Sequence, residues 1–317
     1  MAVGSRPLVP SSLALGGVRP RVHGAASPRT RIGGFVALTK PRIVELLLIT
    51  TLPTMVLAEA GVPSLRLIVA TLVGGALAAG GANAANMVLD RDIDRLMPRT
   101  QGRPLVTGLV SPREAVVFAT ALEVAAFALL WWQVNLLSAV LALAAMAFYV
   151  VVYTIWLKRT STQNIVIGGA AGAVPVLIGW AAVTGGLAWP AVVLFVVIFL
   201  WTPPHFWALA IRYADDYRAA GVPMLPAVAP AEQVGRRMLT YTLALWASTM
   251  VLVPVAGLGW IYGVTALVLG ALFAAGCVGL VRDPSPRRSM RVFAFSISYI
   301  TILFGAIALD VLVRSGW

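Results

Sequence analysis

Negative charge is what this 317-residue chain has least of: twelve Asp and Glu in all, with charged residues of both signs reaching only 11%. Soluble domains carry roughly 25%. Together with 60% hydrophobic residues and a mean hydropathy of +0.89, this scarcity excludes a soluble globular protein, and lipid must be the solvent. Cysteine is nearly absent. The single Cys277 excludes an intramolecular disulfide and reads as a small core residue in an apolar run. Residues 1–34 contain no acid and no apolar stretch of spanning length, which excludes a secretory signal. They read as a disordered basic arm resting on anionic lipid, with a transit peptide as the sharper alternative. A net charge of +12 would suggest nucleic acid in a soluble protein; in this one its distribution matters more, and no nucleic-acid partner is expected.

What the chain has in abundance is apolar length. Windows near the roughly 20 residues that a bilayer demands fall at about 43–61, 65–89, 113–133, 136–157, 164–184, 188–211, 238–256, 260–281 and 291–313. The expected fold is therefore all-α, a polytopic membrane protein of nine transmembrane helices, with the membrane domain covering 35–317. Lys and Arg alternate sides between these windows: 22 of the 24 lie on one side, and only Arg66 and Arg314 on the other. The positive-inside rule puts the N-terminus and four loops in the cytoplasm and the C-terminus outside. Trp131, Trp132, Trp189 and Trp260 then mark the outer boundary.

Three of the scarce acids gather where the second window ends, in Asn86-Met-Val-Leu-Asp90-Arg-Asp92-Ile-Asp94-Arg95. At i, i+4 and i+8, Asn86, Asp90 and Asp94 share one helical stripe, while Asp92 points away. Carboxylates at a helix C-terminus face the negative end of the macrodipole, so local structure gives no reason for them. A bound cation would. Oxygen ligands without Cys or His favour Mg²⁺ over zinc, and Mg²⁺ is usually shared between carboxylates and substrate phosphates. A second pair, Asp215-Asp216, follows the sixth window on the same side. The two sites facing each other suit Mg²⁺ ions on a diphosphate, with Arg95, Arg99, Arg103 and Lys158 neutralising its remaining charge. The candidate metal ligands are thus Asn86, Asp90, Asp94, Asp216 and Asp215, and the candidate catalytic residues Asp90, Asp94 and Lys158.

The Asn86-xxx-Asp90-xxx-Asp94 spacing after helix two, with a second acidic site after helix six, resembles the intramembrane prenyltransferases of the UbiA superfamily. Within it, several segments are similar to the haem O synthase branch. They include Leu38-Thr-Lys40-Pro41-Arg42, Arg103-Pro-Leu-Val-Thr-Gly108, Tyr153-Thr-Ile-Trp-Leu-Lys158, Trp201-Thr-Pro-Pro-His205-Phe-Trp and Asp216-Tyr-Arg-Ala-Ala-Gly-Val-Pro-Met-Leu-Pro226. The resemblance runs from about residue 35 to the C-terminus. One departure stands out: Ala219 and Ala220 occupy the positions where the superfamily often places a second Asp, so the second metal would have fewer ligands.

The resemblance implies a UbiA-like bundle that transfers the farnesyl group of farnesyl diphosphate to a vinyl group of haem B. Water addition then gives haem O, on the route to haem A and cytochrome oxidase. The implied cofactor is Mg²⁺ and the implied partners are both substrates, membrane lipid and a haem A synthase. His205 is the candidate haem contact, in a sixth helix that Pro203-Pro204 should break or kink. Glycine- and alanine-rich stretches either pack helices closely or leave a channel for the prenyl tail. Mid-span Glu123 has no evident partner. A sister prenyltransferase acting on a quinone or chlorophyll precursor is the alternative, and a membrane transporter or binding protein the alternative of another class. The expected location is a bacterial plasma membrane, with the mitochondrial inner membrane second.

Overall fold

The computed structural model describes residues 28–316, and every regular element in that range is helical. A short helix α1 (Pro28–Thr39) leads directly into α2 (Pro41–Glu59). Then come α3 (Leu65–Leu89), α4 (Pro112–Gln133), α5 (Leu136–Thr160), α6 (Asn164–Thr184) and α7 (Trp189–Arg212). Helices α8 (Ala231–Ala256), α9 (Trp260–Arg282) and α10 (Pro286–Arg314) complete the bundle. Eight of these, α3 to α10, are long and apolar enough to cross a membrane, and α2 contributes the shorter apolar stretch Leu48–Glu59. Nine spanning helices therefore fit the described residues. The arm expected over 1–34 lies outside them except at its end, which from Pro28 onward is the helix α1.

Each span packs against the next, and α10 also meets α2, which closes the bundle. Its surface is oily: Val117, Val124, Trp156, Leu267 and Leu309 are all more than half exposed, as lipid-facing side chains should be. Trp131, Trp132, Trp189 and Trp260 are likewise exposed, at the helix ends opposite the acidic sites.

Several glycines inside the spans serve close packing. A Cβ on Gly74 would stand 2.6 Å from Leu130 of α4, and one on Gly169 would stand 2.7 Å from Thr202 of α7. A channel reading survives only at positions such as Gly172, which has open space beside it. Glu123 packs against Gly81, a closely packed position, and its Oε1 is buried without a hydrogen-bond partner. Helix α7 is not broken at Pro203-Pro204: it stays helical through both residues. The dipeptide is buried in the bundle, so tertiary packing holds a helix that proline would otherwise end. Helix α5 departs from expectation in the opposite way: its second half, Phe148–Leu157, is a π-helix.

Candidate active site

Helix α3 stops at Leu89, yet the hydrogen-bonded turns continue: Asp90 N–H donates to the Asn86 carbonyl and Asp94 N–H to that of Asp90. The stripe is thereby preserved across the junction into a short helix, Arg91–Leu96. Asn86, Asp90 and Asp94 are all buried, whereas Asp92 points outward and pairs with Arg159 at 2.7 Å. Those bonds from Arg159 hold the Asp92 carboxyl down to about 2.

Each buried carboxylate has its own cation. Lys158, at the end of the π segment, donates to Asp90 Oδ2, and Arg103 donates to both oxygens of Asp94 at 2.7 and 2.6 Å. Both cations belong to the expected diphosphate set. Asn86 Nδ2 also donates to Asp90 Oδ2, at 2.7 Å, and to Thr154 Oγ1 of the π segment at 3.0 Å. The other carboxylate oxygen, Asp90 Oδ1, is buried and has no hydrogen-bond partner. An unpaired anionic oxygen at a site of this kind is unfavourable unless a cation completes it, so the residues fit a divalent metal. Among the described residues no three His, Cys, Asp or Glu side chains gather closely enough to hold a metal unaided.

The second acidic segment joins the first. Ile93 and Met97 pack with Val222, Tyr217 and Ala220, so the two loops share a small apolar core. Arg99 lies over the Tyr213 ring at 5.3 Å from its centre, and burial raises the Tyr217 phenol while nearby Arg99 and Arg103 oppose that rise. Asp216 is half-buried beside Tyr217, but Asp215 projects into solvent and pairs with Arg218. The structure therefore does not bring Asp215 into the site. Arg95 is also exposed.

Sequence reasoning missed three groups. Tyr149 and Tyr153 stack at 5.3 Å on the π segment, close enough to Asp90 and Arg103 to feel their charge. Lys40, between α1 and α2, donates to Asn86 Oδ1 at 2.8 Å. Burial, then the charges of Arg103 and Lys158, push its ammonium down to about 7. Its backbone is left-handed, φ 51° and ψ 64°, a conformation that costs a non-glycine residue roughly 1–2 kcal/mol. Asn83, one turn before Asn86, donates to the Thr39 carbonyl at 3.0 Å and holds that turn in place.

His205 lies apart, on α7. It stacks on Trp201 and on Phe293 at 4.2 and 4.7 Å between ring centres, and its Nδ1 meets Ser296 Oγ at 2.7 Å.

With this geometry in hand, the relatives are informative. The model of the UbiA prenyltransferase family matches residues 47–300, so the chain belongs to that family. A protoheme IX farnesyltransferase from Pseudarthrobacter chlorophenolicus is 57% identical over 87% of this chain and 88% of its own length. One from Mycobacterium avium is 51% identical over 92% and 96%. Among solved structures, a digeranylgeranylglyceryl phosphate synthase superposes with a TM-score of 0.73 at 16% identity, covering 89% of this chain and 99% of its own. A UbiA homologue from Archaeoglobus fulgidus bound to DMAPP and Mg²⁺ gives 0.63 at 20% identity, over 88% and 99%. At such identities the structures establish the fold alone. The chain is thus a multi-pass membrane protein of the prenyltransferase family.

Proposed function

We propose that this enzyme transfers the farnesyl group of farnesyl diphosphate to a vinyl group of haem B to make haem O. Supporting that reading is the identity of 51–57%, over nearly full length, to proteins named protoheme IX farnesyltransferase. The observation that carries the chemistry is the buried Asp90–Asp94 pair, ringed by cations and left with one open carboxylate oxygen.

Asp90 and Asp94, with Asn86 and Asp216 as the further ligands, would hold Mg²⁺, which supplies charge neutralisation for the departing diphosphate. Asp215 takes part only if its segment moves. Lys158, Arg103 and Arg99 bind the phosphate oxygens and favour departure of the leaving group with the C1–O electron pair. Lys158 and Arg103 would then trade their carboxylate partners for phosphate. The stacked Tyr149 and Tyr153 rings would favour an allylic cation through their π-faces. The vinyl π-bond of haem forms the new C–C bond. Water captures the resulting cation and loses one proton, so one water is consumed and one diphosphate released.

His205 is the proposed haem contact. The Ser296 hydroxyl donates to the Phe293 carbonyl at 2.6 Å, so its oxygen accepts from Nδ1–H. The imidazole is thereby fixed with its Nε2 lone pair available, as a haem ligand requires. An unchanged haem B spectrum and affinity in His205→Ala would remove this role. The basic loops lie in the cytoplasm of a bacterial cell, the protein sits in the plasma membrane, and a haem A synthase takes the product.

Chromatography of haems tests the whole reading. Membranes from cells expressing the protein, given farnesyl diphosphate, haem B and Mg²⁺, should form haem O, and chelation should stop it. An unchanged haem profile would reject the assignment, and undiminished turnover after chelation would reject the metal.

A further inference from the structure

A chain with 24 basic residues uses lysine only twice, at Lys40 and Lys158. Arginine serves at every other basic position, on loops and helix ends alike. Both lysines converge on the acidic site, from elements 118 positions apart. Lysine differs from arginine as a compact point charge without a rigid fork.

The two lysines are not equivalent. Lys158 is paired with Asp90, and Arg103 with Asp94. Lys40 has no carboxylate within ion-pair distance among the described residues; it donates instead to the neutral Asn86 oxygen at 2.8 Å. The cluster therefore holds two buried carboxylates and three cations, and Lys40 is the one left without an opposite charge. It is kept there at a conformational cost. The left-handed backbone at Lys40 precedes Pro41, whose ring already restricts the preceding residue to extended conformations. Asn83 pins the Thr39 carbonyl and Asn86 takes the ammonium, so two side chains of α3 aim this turn into the pocket. A structural clamp alone gives no reason for a charge. Any neutral donor would bond Asn86, without the penalty of an unbalanced buried cation.

We propose that Lys40 is a direct ligand of the substrate's diphosphate, the cation held ready for the anion while Lys158 and Arg103 still neutralise their aspartates. This rests on the farnesyl-transfer reading above. It makes the α1–α2 turn, rather than only the two acidic loops, part of the diphosphate cradle. It also makes Asn86 an orienting group: its oxygen faces Lys40 and its amide faces Asp90.

The test compares wild type, Lys40→Met and Lys40→Arg in detergent, with Mg²⁺–pyrophosphate as probe. Lys40→Met keeps the length and loses the charge. It should weaken pyrophosphate binding and raise KM for farnesyl diphosphate by about tenfold or more, the size expected of a lost charge-assisted contact. KM for haem B should stay within about twofold of wild type, a separation that general loosening of the fold would not give. Lys40→Arg, which keeps the charge, should recover most of the affinity. Equal pyrophosphate affinity in wild type and Lys40→Met would overturn the proposal while leaving haem O formation intact. A measurement on the unaltered protein covers the case in which the variants fail to insert. Reductive methylation read by peptide mass spectrometry has two lysines to follow, and Mg²⁺–pyrophosphate should protect Lys40 as well as Lys158. Protection confined to Lys158 would overturn the assignment. Wild type that makes no haem O would bring down the underlying reading and this inference together.

Discussion

Asp90 carries two roles that a single substitution mixes. One oxygen is bound by Lys158 and Asn86, which is a structural arrangement, and the other is open, which is where the proposed metal would bind. Asp90→Asn should abolish turnover, and it should also destabilise the protein by about 3 kcal/mol, because Lys158 is left as an unpaired buried charge. Asp90→Asn combined with Lys158→Met removes that charge. The double variant should regain most of the lost thermal stability and none of the activity, as measured by melting and haem O formation. Recovery of turnover would show that Asp90 only balances Lys158. The stripe of Asn86, Asp90 and Asp94 was legible because helical spacing survives the break at Leu89. Lys40 was not. Nothing in a pattern of neighbours shows that a residue 46 positions upstream turns through a left-handed conformation to meet Asn86. The exposure of Asp215 was equally hidden, since adjacent residues of a short helix point in different directions and only packing decides which enters the pocket.

Helix α5 shows where reading by periodicity fails. Tyr149 and Thr154, like Tyr153 and Lys158, are five positions apart, and on an α-helix such pairs lie on different faces. On the π segment they align, since each bond there spans five residues; the Thr154 hydroxyl donates to the Tyr149 carbonyl at 2.9 Å. Composition foretold a span over these residues but not its winding, because the pattern of apolar residues is the same for both. The facing helix enforces the arrangement. A Cβ on Gly168 of α6 would stand 2.3 Å from the Tyr153 ring, too close for any atom, so glycine is what lets that ring lie against α6. Gly168→Ala should therefore displace Tyr153, lowering stability by about 1–3 kcal/mol and reducing kcat more than it raises KM for farnesyl diphosphate. Unaltered melting and kcat would mean that the ring is free to shift without consequence. The unbroken α7 teaches a related lesson: two prolines signal an ending, and burial between neighbours overrides them.

The bundle has two unlike ends. One gathers the acidic loops, their cations and most of the basic residues; the other presents Trp131, Trp132, Trp189 and Trp260. The number and approximate bounds of the spans were legible in the sequence, because hydrocarbon thickness sets a length that composition reveals. The sidedness is a proposal that rests on charge alone: basic loops resist translocation, and on that rule the acidic site would lie inside and the C-terminus outside. The single native Cys277 is buried, so introduced thiols can be followed against a low background. Glu232 and Ser315 are both exposed, at opposite ends. A membrane-impermeant maleimide applied to intact cells should label Ser315→Cys, and should label Glu232→Cys only after the membrane is opened. Labelling of Glu232→Cys in intact cells would invert the topology. The active site would then open outward, so that any farnesyl diphosphate made inside the cell would first have to cross the bilayer.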